Sequence, residues 1–184
     1  MEKFLEFLQI EGCIYEIKDG AVIVLDEVSP FLSRDNNIVI PENTDFTKGL
    51  NFEHYVGEIQ LPENLKVTYE LDLTGTNTER LPSNLTIYDK CAVYLDAHNI
   101  ENVSYRDNCG IHDRTIFAFW ANNDFLIAAG CFVGTYTEFE EKVNEVYYSY
   151  KDDAKEYKRK ARDCISELAE KLGKPDPFKK ATAE

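Results

Sequence analysis

Four residues in the second half of the sequence have the types and spacing that could bind a metal ion. Cys109 and His112 form a Cys-x-x-His motif, Cys131 ends a run of apolar residues, and Cys164 lies further along the chain. Three thiolates and one imidazole are a known ligand set for zinc. Alternatively, Cys131 and Cys164 are small hydrophobic residues of a β-strand and an apolar helix face. We favour that alternative and expect no metal or other cofactor.

Few other groups suit catalysis. The sequence has three histidines, and it lacks the GxxxxGK, GxGxxG and GxSxG motifs of phosphate loops, dinucleotide-binding folds and serine hydrolases. Carboxylates are plentiful, but no spacing singles out a pair for acid–base chemistry. We therefore expect a protein that is not an enzyme. The alternative is a hydrolase or transferase with an unrecognised carboxylate or Cys/His site.

Negative charge is concentrated in the first three-quarters of the sequence. The net charge is −14, and residues 1–134 hold 22 acidic and 9 basic side chains, against 12 and 11 in residues 135–184. Such a body repels nucleic acid, because phosphate binding requires clustered Lys and Arg. Two interpretations stay open. The charge serves solubility, or it forms a surface that resembles nucleic acid to a basic partner.

The sequence also indicates a cellular compartment. No apolar run approaches the ~20 residues of a membrane span, and the N-terminus lacks the basic flank and cleavage site of a signal peptide. Five widely spaced cysteines without a CxxC motif fit reduced thiols better than a disulfide framework. These features predict a cytoplasmic protein without a membrane association.

A repeated phrase organises the middle of the chain. LPENL begins at Leu61, LPSNL at Leu81 and the related IPENT at Ile40, with spacings of 20 and 21 residues. A second register of 22 matches Leu71 with Val93 and Asn77 with Asn99. Short repeats of this length must stack on their neighbours to bury an apolar edge. They predict a leucine-rich-repeat-like β-solenoid over residues 38–108, with one short strand in each repeat.

Other elements are predicted on both sides of this repeat region. Residues 1–37 are expected to form a helix and a hairpin that turns at Asp19–Gly20. Residues 109–173 are expected to form a β-hairpin, from RTIFAFW and FLIAAGCF, and two antiparallel helices, the first starting at a capping box on Thr135 or Thr137. Residues 174–184 are expected to be a flexible tail. The predicted fold class is α+β, with a short solenoid flanked and covered by these elements.

The phrases that carry this architecture support one resemblance. The Leu-Pro-x-Asn-Leu repeats, LDLTGT between them, and the later CGIHDRTIFAFW and LIAAGCFVGT resemble those of bacteriophage and prophage accessory proteins with degenerate leucine-rich-type repeats. The likeness spans about residues 1–172. It implies a phage-associated protein in the cytoplasm of an infected bacterial host. It implies no catalytic residue.

Together these observations predict a non-enzymatic, phage-encoded binding protein. Its partner would be a host protein with a basic surface, such as a CRISPR effector or another nucleic-acid-binding defence complex, which it would inhibit as an acidic DNA mimic. It would not bind nucleic acid directly. The alternative function is that of a phage accessory enzyme. The candidate partner-binding residues are carboxylates of the repeat region: Glu53, Glu58, Glu63, Glu70, Asp72, Glu79, Asp89 and Asp96.

Overall fold

The computed structural model describes residues 1–33, 36–88 and 91–179, which form two compact units. The first unit is Met1–Glu101 with Ala121–Asn123, and the second is Asn102–Trp120 with Asp124–Glu184. The chain mixes helices with many short strands, and it contains a β-solenoid of about three turns. The predicted α+β class and the solenoid are therefore confirmed.

The first unit begins with helix α1 (Glu2–Ile10), which buries Phe4, Phe7 and Leu8. Strands β1 (Tyr15–Lys18) and β2 (Ala21–Val24) then form an antiparallel hairpin. Asp19 and Gly20 at its tip have φ angles of 51° and 81°. Positive φ at both positions is what a type I′ turn requires, and Asp-Gly adopts it readily.

Each turn of the solenoid contributes short strands to different sheets. The first turn contains β3 (Ile38–Val39), β4 (Asp45–Phe46) and β5 (Leu50–Asn51). The second contains β6 (Ile59–Gln60), β7 (Lys66–Val67) and β8 (Glu70–Asp72), and the third contains β9 (Thr86–Ile87) and β10 (Ala92–Tyr94). Each of the two complete turns therefore has three short strands, rather than the one strand that the repeat predicts.

These strands assemble into three sheets. A five-stranded sheet has the order β1-β2-β4-β7-β9, a three-stranded sheet the order β10-β8-β5, and a two-stranded sheet pairs β3 with β6. All pairs are parallel except β1 with β2. The N-terminal hairpin thus continues the sheet of the solenoid through the pairing of β2 with β4.

The register follows the repeat read from the sequence. Partners are 21 residues apart between the first and second turns, as in Leu50 with Leu71. Between the second and third turns the spacing is 20 for β7 with β9 and 22 for β8 with β10. The path from Leu71 to Ile87 is therefore one residue shorter than the equivalent path from Leu50 to Val67 in the preceding turn. In the described part of the chain no strand of that turn pairs with β6.

Stacked apolar side chains fill the interior of the solenoid. Phe46, Val67 and Ile87 are buried beneath the five-stranded sheet. Leu50, Leu71 and Val93 are buried beneath the three-stranded sheet. Because each such side chain contributes about 1.5–3 kcal/mol when fully buried, these stacks explain why the repeat needs several turns to be stable.

The second unit combines a four-stranded sheet with two helices. Its elements are β11 (Ser104–Cys109), a 3₁₀ turn (Gly110–His112), β12 (Arg114–Ala121), β13 (Asp124–Ala129), β14 (Phe132–Thr135), α2 (Tyr136–Val146) and α3 (Lys151–Leu172). The segment FLIAAGCF was expected to be one strand. Instead Gly130, with φ of 64°, and Cys131 form a turn between β13 and β14.

The helices of this unit begin and end as their sequences indicate. Thr135 and Glu138 form a capping box at the start of α2, and α3 ends at Gly173 in the left-handed region. Asn144 of α2 contacts Lys158 of α3, and Tyr136 of α2 contacts Arg162 of α3. Later residues of α3 thus contact earlier residues of α2, so the two helices are antiparallel. Beyond α3, Phe178 packs edge-on against Tyr136. Residues 180–184 of the predicted tail lie outside the described residues.

Candidate functional site

The cysteines and the histidine of the possible zinc set occupy different environments. Cys109 and Cys164 are buried in the core of the second unit, Cys131 is exposed at its turn, and His112 ends the 3₁₀ turn. Burial raises the pKa of the Cys164 thiol to about 12. Nowhere in residues 1–33, 36–88 or 91–179 do three His, Cys, Asp or Glu side chains form a group that could hold a metal ion.

Four of the candidate partner-binding residues lie on one face of the solenoid. Leu50, Leu71 and Val93 of the three-stranded sheet point inward, so the side chains on either side of them in each strand point outward. Glu70 and Asp72 of β8 are outward residues of this kind. Glu53 and Asp96 follow two positions after the ends of β5 and β10, in equivalent places of their turns.

A fifth carboxylate, Glu27, belongs to the same face. A Cβ atom placed on Gly49 would lie 3.7 Å from both the Glu27 Cγ and the Glu70 Cβ, so these two side chains flank Gly49. Val28 forms a β-bridge with Leu50, 22 residues later. We call Glu27, Glu53, Glu70, Asp72 and Asp96 the acidic face. The 22-residue match of Val28 with Leu50 is the sequence signal that could have identified Glu27.

Hydrogen bonds within the repeat hold several of these carboxylates in place. Asp72 Oδ1 accepts from the backbone N–H of Thr74 at 2.8 Å, and Asp96 Oδ2 accepts from that of Gly75 at 2.9 Å. Glu70 accepts from the Asn51 side-chain amide at 3.0 Å. Asp72 is only 9% exposed. The face thus presents partly fixed carboxylates, of which Glu27 and Glu53 are exposed and Glu70 and Asp96 are half-buried.

The remaining candidate carboxylates lie elsewhere on the first unit. Glu58 and Glu79 line a polar groove of about 760 Å³ beside β6, together with Gln60, Asn77, Arg80 and Asn99. Glu63 lies at a corner between sheets, where it accepts from the Ser83 hydroxyl at 2.9 Å. Asp89 lies outside the described residues. The structure therefore places the seven described carboxylates of this set at several positions around the coil.

One further carboxylate, which the sequence did not single out, binds the backbone of a distant segment. Glu11, at the end of α1, accepts hydrogen bonds from the N–H groups of Phe31, Leu32 and Ser33. Burial raises the pKa of Glu11, but these hydrogen bonds outweigh burial and the pKa falls below its ordinary value. Twenty residues separate Glu11 from Phe31, and no local motif marks their contact.

The charge imbalance divides between the two units. The first unit contains 19 acidic and 7 basic residues, a net charge of −12, whereas the second contains 15 and 13, a net charge of −2. The first unit also holds all eight candidate residues. A basic partner would therefore be attracted mainly to the unit that contains the solenoid.

No protein-family model matches this sequence, and no curated protein or solved structure matches it significantly. Among the described residues, no helix has both the length and the apolar character needed to cross a membrane.

Proposed function

We propose that this chain is a non-enzymatic, phage-encoded binding protein that acts in the cytoplasm of an infected bacterium. Its acidic face binds the basic surface of a nucleic-acid-handling host protein, for which a CRISPR effector or another defence complex is the best instance. Binding blocks the site that would otherwise hold DNA or RNA. The protein is thus an anti-CRISPR-type inhibitor that acts as a DNA mimic.

The acidic face is the observation that carries this proposal. Four of its five carboxylates lie on adjacent turns, whose strands are about 4.8 Å apart, and Glu27 lies beside the first of these turns. Three of the five are hydrogen-bonded within the repeat. Double-stranded DNA carries one charge per about 3.4 Å of each strand. A partner built to bind a row of phosphates would therefore meet a row of negative charges already held in position, which lowers the ordering cost of association.

The proposal is tested with a purified CRISPR effector bound to its guide RNA and a labelled target DNA. We expect increasing amounts of this protein to release the DNA in an electrophoretic mobility-shift assay. Because exposed charges attract less strongly as salt screens them, inhibition should weaken between about 0.1 M and 0.5 M NaCl. An inhibition that persists unchanged at the higher salt would contradict electrostatic mimicry.

Matched variants distinguish the effect of the acidic face on binding from the effect of total net charge. The triple variant Glu53→Gln, Glu70→Gln and Asp96→Asn should bind the effector at least about tenfold more weakly, since electrostatic contacts at interfaces contribute to both rate and affinity. The control is Glu2→Gln, Glu6→Gln and Glu42→Gln, which removes the same charge from exposed positions of the first unit that do not belong to that face. Equal losses in the two variants would show that only total charge matters.

A further inference from the structure

Strand β1 forms one edge of the five-stranded sheet. Its neighbour on one side is β2, and no other strand in the described part of the chain pairs with it. Exposed sheet edges present unpaired N–H and C=O groups that can pair with another chain. The edge of β1 is therefore a surface on which a further strand could add.

The hairpin register shows which backbone groups face outward. The N–H of Leu25 donates to the carbonyl of Ile14 at 2.8 Å. In an antiparallel pair, hydrogen-bonded and non-hydrogen-bonded residues alternate, so Ile14, Glu16 and Lys18 direct their backbone groups toward β2. Tyr15 and Ile17 direct theirs away from the sheet. Two residues of β1 thus offer N–H and C=O groups to a new strand.

The side chains of β1 divide into an apolar and a charged face. Ile17 pairs with Val22 and shares its face of the sheet, but Ile17 is 55% exposed whereas Val22 is 0% exposed. Glu16 and Lys18 point to the opposite face, and both are exposed. The edge therefore carries an uncovered isoleucine between one negative and one positive side chain.

We propose that β1 pairs with β1 of a second copy of this chain, antiparallel, with Ile17 on the two-fold axis. In this register the Ile17 residues of the two copies form a hydrogen-bonded pair through their outward N–H and C=O groups. Glu16 of each copy lies directly opposite Lys18 of the other, so the dimer contains two identical pairs of opposite charge. The two five-stranded sheets join into one.

Charge selects this register from its alternatives. Shifting the pairing by two residues would place Tyr15 opposite Ile17 and would bring the two Glu16 side chains face to face. Like charges directly opposite each other destabilise a strand pair, whereas opposite charges stabilise it. A shift by one residue would place residues with outward N–H and C=O groups opposite residues whose groups point toward β2, so the two strands could not form hydrogen bonds. The backbone pattern thus allows registers that differ by two residues, and the charges select the one centred on Ile17.

The interface is small, so the dimer should be weak. Pairing two four-residue strands buries less than the roughly 1,200 Å² that marks a standard stable interface. The equilibrium should be measured by sedimentation over about 10 μM to 1 mM protein. A chain that remains monomeric over this whole range would overturn the proposal.

Charge-exchange variants test the register directly. Glu16→Lys places Lys opposite Lys18 in both pairs, and Lys18→Glu places Glu opposite Glu16. The dissociation constant of the dimer should therefore be at least about tenfold higher for each single variant. The double variant Glu16→Lys with Lys18→Glu should dimerise as the natural chain does. An equimolar mixture of the two single variants should form a heterodimer. Glu42→Lys makes the same charge change at an exposed site away from β1 and should leave dimerisation unchanged.

A cross-linking experiment gives an independent readout. In a Cys131→Ser background, which removes the exposed thiol, Ile17→Cys should form a covalent dimer on mild oxidation. Hydrogen-bonded antiparallel partners lie about 5.5 Å apart at Cα, within disulfide reach. Ile14 is 62% exposed, slightly more than Ile17, but the two copies of Ile14→Cys would lie about 20 Å apart in this register. Cross-linking that is as fast at position 14 as at position 17 would refute the proposed β1–β1 pairing.

Discussion

At the scale of single residues, the capping box of α2 shows how one side chain fixes the start of a helix. The Thr135 hydroxyl accepts from the N–H of Glu138, and Glu138 Oε2 accepts from the N–H of Thr135 at 2.7 Å. Hydrogen bonds from the Thr135 backbone and side chain lower the pKa of Glu138 below its ordinary value of 4.5. The ionised carboxylate therefore stabilises the folded chain.

We expect Glu138→Ala to lower the free energy of unfolding by about 1 kcal/mol at pH 7. Since the pKa of Glu138 is depressed in the folded state, its contribution is complete above pH 4.5. It is lost as pH falls through the lower, folded-state pKa. Urea unfolding at pH 7 and pH 3 should show the difference from the natural chain shrinking at pH 3. Glu141→Ala, on the same helix, is the control and should change little at either pH.

At the scale of elements, the stacked leucines make each turn depend on its neighbours. Leu71 lies between Leu50 and Val93 in the middle of the buried stack and is 0% exposed. Lys66, on the neighbouring strand β7 of the same turn, points outward and is exposed. These two residues therefore separate interior packing from surface effects within one turn.

Leu71→Ala should lower the free energy of unfolding by about 2–5 kcal/mol, because it removes buried methyl groups and leaves a cavity. Urea unfolding followed by circular dichroism measures this change. Lys66→Ala should alter stability by less than about 0.5 kcal/mol. A Leu71 variant as stable as the Lys66 variant would mean that the middle of the stack is not a packed core.

The sequence predicted the register of the solenoid better than the number of strands in each of its turns. The spacings of 20, 21 and 22 residues, including Leu71 with Val93, are the spacings between paired strands. The three strands of a turn escaped prediction because most have two residues, too few for a periodic pattern. The turn at Gly130–Cys131 was missed because its neighbours are apolar and read as one strand. Asp72 was expected on the surface, whereas its carboxylate caps a turn and is mostly buried.

At the scale of the molecule, the uneven charge has a consequence for stability. A compact body with a large net charge is destabilised by self-repulsion, and the first unit carries −12 of the total of −14. Partly buried ion pairs such as Arg106–Glu167, at 2.9 Å, are screened little by salt. Repulsion within the first unit should therefore dominate the response to ionic strength.

We expect Tm to rise by a few degrees when NaCl increases from about 20 mM to about 500 mM, because salt screens repulsion between carboxylates. Thermal unfolding followed by circular dichroism measures the shift. Choline chloride at equal ionic strength should give a similar rise, whereas a rise with sodium alone would indicate bound cations. The triple variant Glu53→Gln, Glu70→Gln and Asp96→Asn should show a smaller rise. A Tm that falls with salt would contradict this account.

The uniform 21-residue offset between the first two turns makes the coil extendable by gene duplication. Copying one 21-residue segment in tandem, such as residues 40–60, would insert a complete turn and leave the alignment of every existing pair unchanged. Each added turn would lengthen the stack by about 4.8 Å. Duplication could thus change the length of the acidic face in fixed increments during evolution, while the fold stays the same.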